Sequence, residues 1–145
     1  MKHSCLKPAI GAIVLLFCSI VQAEDGSVWQ GVYSEHQAAE GKLLFELHCK
    51  ACHADVPGQV GGHGPAPKVF GEDFEFRWLD STVLDVLDVI RQTMPEAAPN
   101  SLSIEEYAAL TAYILQLNGY PIGASPLDPR ARQDLGNIYV ETKPE

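Results

Sequence analysis

The sequence predicts an all-α domain with about three main helices, on the strength of three observations. Two segments open with a serine followed three positions later by Gln or Glu, the capping-box signature of a helix start: Ser34 with Gln37, and Ser103 with Glu106. Between them, a stretch from Asp80 or Ser81 to about Thr93 puts Val83, Leu84, Leu87 and Ile90 on one face and Asp85, Asp88 and Arg91 on the other. Residues 54–69 carry Pro57, Gly58, Gly61, Gly62, Gly64, Pro65 and Pro67 and read as a loop.

Residues 1–23 read as a secretory signal. Lys2 and Lys7 form a basic start, Ala9 to Phe17 an apolar run, and Val21-Gln22-Ala23 ends in a small residue suited to cleavage. The run is too short to span a bilayer; an uncleaved anchor is the competing reading. Cleavage predicts an exported, periplasmic chain with no stable membrane insertion. It also removes Cys5 and Cys18, so the mature chain keeps Cys49 and Cys52, with Met94 its remaining methionine. Lys2 and Lys7 leave with no acid, so 10 Lys+Arg become 8 against 19 Asp+Glu and the net charge of −9 becomes −11. Such a chain does not bind nucleic acid through its phosphates. It is either simply soluble or steered towards a basic partner.

Residues 24–33 read as an N-terminal arm. The first helix runs from about Glu35 to His48, with Ala38, Leu43, Leu44 and Leu47 as its apolar positions and Phe45 beside them. Gly41 costs helix stability, which predicts another backbone passing close to it. Phe70, Phe74, Phe76 and Trp78 suit either the edge of a flat cofactor or an ordinary core. Met94 precedes Pro95, which pushes it into extended geometry on a loop. The last helix, Ile104 to about Leu117, carries Tyr107, Leu110, Ile114 and Leu117 as a stripe, with Tyr113 alongside. Asn118-Gly119 and Pro121 stop it. Residues 122–145 form a tail that lies against the domain or is partly loose.

The chemistry concentrates in Cys49-Lys50-Ala51-Cys52-His53, the spacing of a c-type haem attachment. Residues three apart on a helical turn face the same way, so both thiols reach the vinyl groups along one haem edge. His53 then offers its imidazole as the proximal ligand. A thiol–disulfide pair wants a strand before it, and zinc wants four ligands, which His53 and His63 would have to complete. Met94, 41 residues past His53, is either a core filler or the distal ligand. His36, His48 and His63 read as surface or loop histidines, with His63 a substitute ligand if Met94 lets go.

These residues together resemble the class I c-type cytochromes over roughly 34–121, which implies the cytochrome c fold around one covalently bound haem c. Gly41 and Phe45 match the glycine and aromatic of that family's N-terminal helix, and Leu110 and Tyr113 the residues that cross them. Gly64-Pro65 falls twelve residues beyond His53, where the resemblance implies a proline carbonyl accepting from the proximal imidazole. Thr93-Met94-Pro95 matches the distal-ligand loop. Phe76 to Trp78, Ile90 to Pro95, Ser101 to Ser103 and Asn118 to Pro121 look like the cytochrome subunits of periplasmic quinoprotein or flavoprotein dehydrogenases, with Trp78 at the cofactor. Asn100 stands where that pattern has glycine, and Asn tolerates left-handed geometry.

The resemblance implies an electron-transfer protein, not an enzyme. It would carry single electrons from a periplasmic dehydrogenase to an oxidase or another cytochrome. The alternative is a peroxidase-like haem enzyme or sensor with a displaceable distal ligand.

Overall fold

The computed structural model describes residues 26–53 and 66–145, and it is mainly helical. The expected signal segment, His63 and Pro65 lie outside the described residues. The described part opens with a short strand β1 (Gly26–Ser27) and a 3-10 turn over Val28–Gln30. Five helices follow among the described residues: α1 (Glu35–His48), α2 (Glu72–Trp78), α3 (Val83–Thr93), α4 (Ile104–Leu117) and α5 (Arg132–Leu135). Strand β2 (Ile138–Tyr139) pairs in parallel with β1.

The three long helices start where their side chains satisfy the first free N–H groups. Ser34 Oγ accepts from Gln37 N at 3.2 Å, and Ser103 exchanges bonds with Glu106 in a full capping box. At α3 the cap is Thr82, one or two residues later than Asp80 or Ser81. Thr82 Oγ1 accepts from Asp85 N, and the Asp85 carboxylate accepts from Thr82 N. Asp80 is instead spent on a turn: its φ is 62° and its N–H donates to Val140 O. Each such cap contributes about 1 kcal/mol.

α4 is the core helix, with every residue from Tyr107 to Leu115 buried. α1 crosses it at Gly41, where a methyl group would sit 1.8 Å from Ala109 O and 2.9 Å from Tyr113 Cβ. The backbones touch, as the glycine predicts. One turn on, Phe45 meets Tyr113 edge-on with ring centroids 5.5 Å apart, and Leu110 and Tyr107 complete that cluster. The buried face of α1 is therefore Gln37, Ala38, Gly41 and Phe45. Leu43 and Leu47 point away, 67% and 75% exposed. The apolar residues of α1 do not all share one side; the glycine decides which side goes in. In α3, Val83, Val86 and Leu87 are fully buried, while Leu84 and Ile90 are partly so.

Helix α2 was not readable from periodicity: seven residues is too short for the pattern to repeat. It follows Gly71, whose φ of 67° makes the turn. The arm and the tail are part of the core. Tyr33 is buried and its hydroxyl donates to Tyr120 O at 2.6 Å. The buried Gln37 amide clamps Leu127 in both directions, donating to its carbonyl at 2.9 Å and accepting from its N–H at 2.8 Å. Leu127, Leu135 and Val140 all bury. The half-buried Asp88 of α3 accepts from both terminal amines of Arg132 in α5, at 3.1 and 2.6 Å.

Two outcomes are expected. Gly41→Ala forces α1 off α4 and costs about 1–3 kcal/mol or more of stability, seen as a lowered melting temperature, whereas Ala39→Gly on the exposed side costs under about 1 kcal/mol. The hydrogen bonds from Arg132 hold the Asp88 carboxyl below its ordinary value. A depressed carboxylate stabilises above its unfolded pKa, so wild type should exceed Asp88→Asn in stability near neutrality. That advantage should shrink below about pH 3.9 and vanish once the folded carboxyl is protonated; acid titrations of both melts check it.

Candidate functional site

Helix α1 hands its last turn directly to the cysteines. Cys49 is the C-cap, its N–H donating to Phe45 O at 2.9 Å. The chain keeps turning: Cys52 N and His53 N both donate to Cys49 O, at 3.0 and 2.9 Å. One tight turn thus brings the two cysteines and His53 together at the end of α1. Both thiols are free, Cys49 half-buried and Cys52 exposed. Burial, helped by Cys52, pushes the Cys49 thiol up to about 11. A reactive redox pair needs the opposite shift, so the disulfide-exchange reading loses support. Among the described residues no group of three His, Cys, Asp or Glu side chains could hold a metal ion, and the zinc reading gains no ligand set there.

His53 is buried, 9% exposed, and its Nδ1 lies 2.8 Å from Pro67 O. A carbonyl only accepts, so Nδ1 carries the proton and Nε2 keeps its lone pair. That is the arrangement in which a carbonyl orients an imidazole as a metal ligand. The carbonyl expected from Pro65 is therefore supplied by Pro67. The Gly64-Pro65-Ala66-Pro67 run offers two prolines two residues apart, and counting from His53 cannot choose between them. The segment carrying Pro67 is held from α4: Asn118 Nδ2 donates to Val69 O at 3.0 Å, and Asn118 Oδ1 accepts from Gly71 N at 2.9 Å.

Met94 caps the C-terminus of α3 in extended geometry (φ −126°, ψ 152°), as a residue before proline should. Its N–H donates to Ile90 O at 2.8 Å, and its carbonyl accepts from the Tyr107 hydroxyl at 2.8 Å. The loop beyond it turns at Asn100, whose φ of 59° is the left-handed geometry anticipated for it.

Two cavities lie between these elements, of about 320 and 280 Å³, and Cys49, His53, Pro67 and Met94 line both. Each is near the lower end of the roughly 300–1,000 Å³ range of cofactor pockets. Their shared walls make them two parts of one slot. Phe45, Phe74, Ile90, Leu110 and Ile114 give the larger part an apolar lining. Trp78 lines it too, as expected, with the Arg77 guanidinium 5.2 Å from its ring centre. Cys52 and His48 line the smaller part. His36 is exposed on α1, 3.7 Å from Glu40.

The slot fits a haem on chemistry as well as room: an imidazole with a free lone pair and a thioether line the same space, and the first thiol of the attachment pair is in its wall. Two lining cations, Lys68 and Arg77, and the Tyr107 anchor were not evident from the sequence. Lys68 could have been suspected as a basic residue beside Pro67; nothing in the periodicity marks Tyr107 as more than stripe.

Residues 36–114 match the family model described as cytochrome c oxidase, cbb3-type, subunit III. No curated protein and no solved structure matches the chain significantly. The family match spans more than half of the sequence and contains Cys49, Cys52, His53 and Met94. The chain belongs to this family of class I c-type cytochromes, whose haem-based role is electron carriage.

Proposed function

We propose that this chain is a mono-haem c-type cytochrome that carries single electrons in the periplasm, from a dehydrogenase to an oxidase or another cytochrome. The observation that carries this reading is that His53 and Met94 line the same space from different elements. Cys49 and Cys52 would hold the haem c covalently, His53 Nε2 and the Met94 sulfur would ligate its iron, and Trp78 would pack against it. When bound, the haem supplies an iron that cycles between ferric and ferrous; a His/Met pair raises its reduction potential.

The chain's own residues do the rest. Pro67 O fixes the His53 tautomer, and the apolar lining keeps water from the slot. Lys68 and Arg77 place positive charge on an otherwise apolar wall, which suits the haem propionates. The acidic surface, −9 over the whole sequence, favours a partner with a basic docking patch. Ligation by both His53 and Met94 would leave no iron site open to a substrate, which is what would separate a carrier from a peroxidase-like enzyme. Among the described residues no helix is long and apolar enough to cross a membrane.

Ferric wild type should show the weak far-red band of a methionine–iron bond, and Met94→Ala should lose it while keeping covalent haem. A wild type without the band, or a variant that retains it, sinks the His/Met reading. Replacing Cys49 and Cys52 together by alanine should leave little stable protein, because the slot loses its filling. A cooperative melt of that haem-free variant close to wild type contradicts it.

A further inference from the structure

The distal side of the slot is made by a loop, and a loop holds a ligand only as firmly as its anchors hold it. The segment from Met94 to Leu102 leaves α3 and returns to α4. Its near end is fixed by the Tyr107 hydroxyl, which donates to Met94 O at 2.8 Å. The same oxygen accepts from Leu102 N at 3.4 Å, at the loop's far end. One buried hydroxyl, on a side chain with no exposure, therefore ties both ends of the loop to the core helix. A second fastening lies two residues before the far end. Asn100 N donates to Arg91 O at 2.9 Å, and Arg91 Nη1 donates to Asn100 Oδ1 at 3.1 Å. The left-handed φ of Asn100 is what turns both groups back onto α3.

We infer that Tyr107, and secondarily the Arg91–Asn100 pair, are positioning residues for the distal methionine: they act on the backbone that carries Met94, and they set how readily another base displaces its sulfur. This rests on the proposed ligation of the iron by Met94. The Tyr107 hydroxyl does more than fill core. Phe has nearly the same shape, so an apolar stripe alone would not need the oxygen. Without it, Met94 O and Leu102 N lose their partner together. The loop then has fewer bonds holding it against opening, and the competition between the Met94 sulfur and an added base shifts towards the base.

The test is an imidazole titration of the ferric, haem-loaded protein, followed by its visible spectrum, on wild type, Tyr107→Phe and Asn100→Gly. The glycine variant keeps the left-handed backbone and removes only the side-chain bond to Arg91. Tyr107→Phe should bind imidazole roughly three- to tenfold more tightly, the span of one net hydrogen bond, and Asn100→Gly should shift the same way by less. Unchanged imidazole affinity in both variants overturns the inference, even if their melting temperatures fall, because that pattern is purely structural. Should Tyr107→Phe fail to fold, the Asn100→Gly affinity alone decides. A wild type lacking the methionine band fails the ligation reading itself, whereas a wild type with the band and unmoved affinities fails only the positioning role.

Discussion

The structure depends on one backbone contact: Gly41 of α1 laid against the carbonyl of Ala109 in α4, at a distance where even a methyl group would collide. Only glycine permits that approach, at a helix-propensity cost of about 1 kcal/mol relative to alanine. The contact recovers that cost by fixing the crossing point of two helices. Because α1 runs straight from Gly41 through Phe45 to Cys49, its C-terminal turn is then placed with respect to α4 without further adjustment. Phe45 against Tyr113 and Leu110 keeps the rotation of α1 from slipping, and Leu110 is itself a wall of the slot. The cysteines and His53 inherit their positions from that packing.

Helix α4 serves the other walls in the same way. Its C-cap residue Asn118 holds the 66–71 segment by two hydrogen bonds, and that segment presents the carbonyl that orients His53. Its first turns supply Tyr107, which ties down the loop bearing Met94. Three elements distant in sequence thus refer to one helix, buried from Tyr107 to Leu115. For the proposed ligands His53, on the turn after α1, and Met94, on a loop, this common reference matters, since misplacement by a fraction of an ångström changes how an iron is held. The arm and tail strengthen the reference from behind. Gln37 and Tyr33 bind residues of the tail and of the α4 exit through buried hydrogen bonds, which are stronger and less exchangeable away from water.

What the sequence disclosed follows from how local each signal is. The Ser34 cap and the Ser103 capping box are four-residue events, and the helices they open end where read, at His48 and Leu117. Gly41 was legible because it breaks a local rule for a reason the fold then supplies, and Asn100 because it stands where the resembled pattern has glycine. The Pro67 carbonyl was not legible: with two prolines in Gly-Pro-Ala-Pro, the choice depends on the path of the loop. Helix α2 was too short to show a period. The exposure of Leu43 and Leu47 and the packing of the tail are tertiary outcomes, set by where α4 lies and not by the segments themselves. That His53 and Met94, 41 residues apart, line one slot was reached through a motif and a resemblance; periodicity carries no information about it.

The division of labour between the two sides of the slot bears on what kind of protein this is. The His53 side is built by a helical turn and a proline carbonyl, with the cysteines immediately before it in sequence. Met94 stands on a loop, yet that loop is fastened at both ends by Tyr107 and again at Asn100 to α3. A haem that must bind substrate gains from a distal side that opens. One that only passes electrons gains from a coordination shell that stays the same in both oxidation states, because little rearrangement then accompanies each transfer. Under the proposed ligation by Met94, a loop fastened in this way suits the second case.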